Sequence, residues 1–158
     1  MAKKEEIGWY ALRVFRNYPA VLKALDEAFV EIYRTELIPR LLFVRCTPSW
    51  LMEFKRLRND MLMYYRDIET GMPGRVRDAE MEAFKIVTSI KDENVRFLGP
   101  DQPAYHVGER VRVTQGFYKG AEGYIKRIRK SRDLLVSIEG VAVVAISHVP
   151  PEYLEKVN

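Results

Sequence analysis

GERVRVTQGFYKGAEGYIKRI, residues Gly108 to Ile128, is the stretch whose reading decides the fold. Arg110 to Val113 alternates basic and apolar residues, the period-two pattern of a half-buried strand. Three glycines follow, Gly116, Gly120 and Gly123, in a turn that also holds Phe117 and Tyr118. Glycine supplies the positive φ angles and close backbone approaches that a tight turn demands. A second basic strand, Tyr124–Ile128, leaves the turn. Downstream, Leu134–Ile138 (LLVSI) and Val141–Ile146 (VAVVAI) are two more short apolar runs. Turn chemistry at 115–122, 131–133 and 139–140 separates these runs, and no helix-length periodicity appears before the final residues. A small closed β-barrel of about five strands over residues 105–158 is the expectation. The β-branched runs favour a permanent β fold, because valine and isoleucine lose rotamer freedom in helices.

Upstream, strand-like and helix-like segments alternate. Trp9–Phe15 reads as a strand, and Pro19 suits the first turn of a helix. Val21, Leu22, Leu25, Ala28 and Phe29 then recur at helical spacing as one apolar face. The segments 29–37 and 38–46 read as two strands. Thr47-Pro48 is a helix-start signal, followed by Leu51, Phe54 and Leu57 on one face. Residues 61–68 predict a further strand and 71–74 a turn. Asp78 is placed as the cap of a last helix carrying Met81, Phe84, Val87 and Ile90. The order β-α-β-β-α-β-α makes an α+β domain, an antiparallel sheet flanked by helices, over residues 1–98. Residues 99–104 form a short polar linker to the barrel.

Composition narrows the classes. The chain has 158 residues, 47% hydrophobic and 30% charged, the profile of a globular protein with room for two small domains. No apolar run approaches the roughly 20 residues that span a bilayer, so no membrane partner is expected. The start lacks a secretory signal, and Cys46 is the single cysteine, which together point to the cytoplasm. The net charge of +4 is uneven: residues 105–158 carry nine Lys/Arg against six Asp/Glu, so the C-terminal third favours an anionic partner. His106 and His148 sit at no metal-ligand spacing, and GFYKGAEG lacks the Lys-Ser/Thr ending of a phosphate loop. Neither a catalytic constellation, a metal site nor a cofactor is expected, and binding is the expected activity.

The glycine hairpin resembles the KOW motif of small SH3-like barrels that touch RNA, ribosomes or transcription complexes. The chain as a whole resembles the NusG family of transcription elongation factors, in which an NGN-like domain precedes a KOW barrel. Trp9-Tyr10, the segment LIPRLLFV (Leu37 to Val44) and VRVTQGFYKGAEG (Val111 to Gly123) carry that resemblance. It departs from the family at Ile38-Pro39-Arg40-Leu41, where an aromatic followed by Pro-Gly-Tyr is usual. VPPEYLEKV, MPGRVRDAEMEAF and the compact linker look more like the UpxY-type antiterminators of capsular polysaccharide operons.

The resemblance implies that the N-terminal domain docks on the clamp coiled coil of the largest RNA polymerase subunit and suppresses pausing and termination. It assigns that surface to Tyr10, Leu37, Ile38, Pro39 and Leu41, although strand alternation turns half of such residues inward. Arg16, Lys55, Arg56 and Arg58 are candidates for tracking non-template DNA, against the plainer reading of a solvated helix face. In the barrel, Lys126, Arg127, Arg129 and Lys130 are a dense basic run suited to nucleic acid, nascent RNA included, or to an acidic protein. Phe117 and Tyr118 sit where the family meets a ribosomal protein or the termination factor Rho, with one of the two rings expected to close the barrel end. A KOW-type RNA- or ribosome-binding module acting outside transcription is the alternative.

Overall fold

The structure, a computed structural model, describes residues 5–128 and 131–157. The chain divides into two compact units after Val76. The first holds β1 (Gly8–Val14), α1 (Tyr18–Glu27), β2 (Glu31–Tyr33), β3 (Leu41–Cys46), α2 (Pro48–Leu57), β4 (Leu62–Tyr64) and β5 (Arg75–Val76). Its antiparallel sheet runs β2–β3–β1–β4, with β5 pairing the N-terminal half of β1. Alternation along β1 sends Tyr10, Leu12 and Val14 to one face, where they join Leu42 and Val44 of β3 and Leu62 and Tyr64 of β4. Both helices pack on this face, through Val21 and Leu25 of α1 and Leu51 and Phe54 of α2. The Thr47 side chain caps α2, accepting from the Trp50 N–H at 3.3 Å, and Pro48 occupies the first turn. Cys46 lies in the same core, where burial pushes its thiol up to about 12.

Several element limits differ from expectation for local reasons. Phe29 does not extend the apolar face of α1: its φ of 56° ends the helix, and the ring is 96% exposed. The strand expected over 29–37 contracts to Glu31–Tyr33. β3 begins only at Leu41 because Pro39 has no N–H to give a ladder and residues 34–40 form a tight turn. Leu57 ends α2 in solvent, and β4 is three residues rather than the eight of 61–68. Arg77 occupies the N-cap position of the last helix, leaving Asp78 in its acidic first turn.

The second unit holds α3 (Asp78–Thr88), β6 (Val95–Gly99), β7 (Glu109–Val113), β8 (Glu122–Ile128), β9 (Ser131–Ile138), β10 (Ala142–Ile146) and β11 (Leu154–Lys156). The expected boundary at residue 98 is therefore displaced. β6 is hydrogen-bonded to β10, and α3 packs against β9. The presumed linker, 99–104, contains the end of β6 and the start of a 3-10 turn at Pro103–His106. The unit has a six-stranded antiparallel sheet ordered β11–β7–β8–β9–β10–β6, one strand more than the expected five because β6 joins it beside β10. Every residue of β10 is buried, which fits its unbroken apolar run. Asp133 of β9 is the one fully buried charged residue among those described, and its carboxylate meets the Arg96 guanidinium of β6 at 2.6 Å. The α+β class with antiparallel sheets is thus as the sequence implies.

Candidate functional site

In the first unit, the turn at 34–40 is held by its own backbone. The Ile38 N–H donates to the Thr35 carbonyl and the Leu41 N–H to that of Ile38, both at 3.2 Å. Leu37 and Ile38 are half-buried there, and Pro39 is exposed. Tyr10 and Leu41 do not join them on one surface. Tyr10 is opposite Val44 in the register and points into the core under α1 and α2, and burial raises its phenol pKa. Leu41 is opposite Arg13, hence on the other face of the sheet. The two residues cannot share a partner's surface, so the apolar site contracts to Leu37, Ile38 and Pro39.

The cations of this unit sort by their partners. Arg56 is clamped by Glu53 through two bonds of 2.8 and 2.6 Å, which holds the Glu53 carboxyl below its ordinary range. Lys55 donates to the Asn59 amide oxygen at 2.7 Å, and the Arg58 guanidinium stacks 4.0 Å above the Phe54 ring. Among the described residues, Arg16, Lys55 and Arg58 face no carboxylate. Backbone bonds bring two of them close: the Arg16 and Arg58 segments both bond to Met61, whose carbonyl accepts from the Arg16 N–H at 3.2 Å while its own N–H donates to the Arg58 carbonyl at 3.0 Å. Arg40 and Phe15, which sequence reasoning passed over, complete this edge. Arg40 Nη1 donates to the Phe15 carbonyl at 3.0 Å. Phe15, Arg16, Asn17, Tyr18, Pro39 and Arg40 line a cleft of about 320 Å³. Cations beside an exposed ring suit a single strand, phosphate on guanidinium and base on aromatic. The pairing of β1 with the start of β3 assembles the cleft, which no local pattern discloses.

In the second unit, the hairpin between β7 and β8 is held by its own backbone hydrogen bonds. The Gly120 N–H donates to the Val113 carbonyl at 2.8 Å, and the Val113 N–H to Ala121 at 2.9 Å. Gly116 and Gly120 carry φ values of +83° and +96°, a region that side chains disfavour. Gly123 has no positive φ and instead permits close approach, since a Cβ there would lie 2.1 Å from the Leu135 carbonyl oxygen. The two rings of the turn divide their roles. Tyr118 is half-buried and donates its hydroxyl to Asp92 at 2.5 Å, while Phe117 is 83% exposed at the tip.

The basic run further along is less uniform than its sequence. Lys126 is occupied, donating to the Ala104 carbonyl at 2.6 Å beside the Tyr105 ring. Arg127 of β8 is exposed and stands directly opposite Arg132 of β9. Arg129 and Lys130 lie outside the described residues. No group of three or more His, Cys, Asp or Glu among the described residues is placed to hold a metal ion. His106 is tied to Asp101, both carboxylate oxygens lying 2.8 Å from its Nε2. No described helix is long and apolar enough to cross a membrane.

No protein-family model and no curated protein sequence matches the chain. Among solved structures it is similar to one described as "Domain interaction in Thermotoga maritima NusG". Identity is 18% with a TM-score of 0.50, over 97% of this chain and 98% of that one. The likeness is one of fold, and it extends along nearly the whole of both chains.

Proposed function

We propose that this chain is a transcription elongation factor of the NusG kind, acting in the cytoplasm. It binds RNA polymerase through its first unit, suppresses pausing and termination, and recruits a second partner through the Phe117 hairpin. The observation that carries this reading is the full-length fold likeness to a NusG. The turn residues Leu37, Ile38 and Pro39 offer apolar contact to the polymerase clamp coiled coil, where burial is worth roughly 25 cal/mol per Å². The Phe15–Arg16–Arg40 cleft and Arg58 track the non-template strand. Phe117 meets a ribosomal protein or Rho, as an exposed aromatic on a hydrogen-bonded turn makes a good interface anchor. The UpxY-like features of the sequence fit antitermination of a particular operon, such as one for polysaccharide synthesis.

Pull-down of core RNA polymerase by the full chain tests this. Ile38→Asp should weaken capture at least tenfold, because a carboxylate would be desolvated against an apolar surface. Tryptophan fluorescence checks the fold, since Trp9 and Trp50 both lie in the first unit. Pro39→Asp at the neighbouring exposed position serves should Ile38→Asp unfold. Capture at wild-type strength by folded variants overturns the assignment. Binding to ribosomes or RNA without any to polymerase would establish a module acting outside transcription.

A further inference from the structure

We propose that the second unit has another docking site, at the sheet end remote from the Phe117 hairpin, for an acidic peptide carrying a bulky apolar side chain. The hairpin joins the end of β7 to the start of β8. The opposite end, near the start of β7 and the end of β8, opens into a hollow of about 270 Å³ floored by Val111, Ile125, Leu134, Val149 and Leu154. A cavity of about 150 Å³ takes a benzene ring, so a leucine or phenylalanine side chain fits here. Arg132, Lys156 and Glu109 edge the hollow.

Charge selects the occupant. Arg127 and Arg132 are Cα partners across β8 and β9, two positions from Ile125 and Leu134 respectively, so alternation puts both on the face of the hollow. Like charges directly opposite in a sheet are destabilising. Three neighbouring cations on β7 and β8 are occupied: Arg110 and Arg112 both bond to Glu122, at 3.0 and 2.9 Å, and Lys126 bonds to Ala104. Among the described residues, Arg127 and Arg132 have no carboxylate partner. Lys156 meets Glu109 only loosely, at 3.8 Å with its side chain 80% exposed. A pair of unneutralised arginines beside an apolar hollow fits carboxylates flanking an apolar side chain.

Single-stranded nucleic acid, the other anion, is the poorer fit. Its bases stack on aromatic platforms, and the described lining of the hollow holds no aromatic ring. This site stands apart from the polymerase reading, because it uses neither the 34–40 turn nor Phe117.

Fluorescence anisotropy of the full chain tests the proposal with three labelled probes. One is an acidic hexapeptide with two central leucines, one the same peptide with serines for the leucines, and one oligouridylate of equal charge. The leucine peptide should bind at least tenfold tighter than the serine peptide, as burying a leucine side chain predicts. Arg127→Gln and Arg132→Gln should each weaken it about two- to fivefold, the range of exposed ion pairs. Leu154→Ser should erase the preference for leucine, with Val149→Asn, outside any strand, as the second variant if the first fails to fold. Phe117→Ala should leave it unchanged. Equal binding of the two peptides, tighter binding of the RNA, or loss on Phe117→Ala each overturns the proposal.

Discussion

Replacing Gly123 by alanine should destabilise the second unit by about 2–4 kcal/mol, the sum of overpacking strain and one weakened ladder bond. The added Cβ would lie 2.1 Å from the Leu135 carbonyl oxygen, 2.9 Å from its carbon and 3.2 Å from Leu134 Cδ1. Ordinary C···O contact begins near 3.3 Å, so β8 and β9 must part by roughly 1 Å where they are hydrogen-bonded. A rotamer change offers no relief, because the first obstacle is backbone. Gly140→Ala is the control. Gly140 has a φ of +75° but nothing within 4 Å of its Cβ position, so only left-handed strain of about 1 kcal/mol applies. Urea titration followed through amide NMR signals of β8 and β9 reads both variants. Tryptophan fluorescence would not, since both tryptophans lie before Val76. If Gly123→Ala costs no more than Gly140→Ala, the close approach is not what demands glycine at 123.

Tyr118 and Asp92 should impart opposite pH limbs to the same unit. Burial, then the bond to Asp92, raises the Tyr118 pKa, so its contribution is present below the unfolded value and is lost as pH rises through the folded one. The Tyr118 hydroxyl, then the Asn94 N–H, lowers that of Asp92, so this contribution is present above the unfolded value of about 4 and is lost as pH falls through the depressed one. Tyr118→Phe should flatten the acid limb by about 0.5 kcal/mol or less, given solvent screening. An unchanged acid limb would refute the pairing. Phe117→Ala should leave stability within about 0.5 kcal/mol, the usual span for a surface position, while weakening the hairpin's partner. A larger loss of stability would make Phe117 structural.

What was legible in the sequence is whatever depends on neighbours along the chain. Helical spacing marked Val21 and Leu25, Thr47-Pro48 marked the start of α2, and clustered glycines marked the hairpin, because capping, turn chemistry and periodicity act within a few residues. The α+β class followed from their order. Strand pairing is a long-range event and left weaker traces. Only the register of β1 against β3 put Tyr10 and Leu41 on opposite faces, and only it brought Arg40 to Phe15. Only the pairing of β6 with β10 and the packing of α3 on β9 moved residues 77–98 into the second unit. The opposed arginines show the same limit. In sequence Arg127 belongs to a dense basic run, and Arg132 follows just after it. The tertiary structure spent Lys126 on a backbone carbonyl and set those two face to face beside an apolar hollow. Charge is a property of composition, but an unneutralised charge is a property of geometry, since it depends on which carboxylates the fold brings within reach.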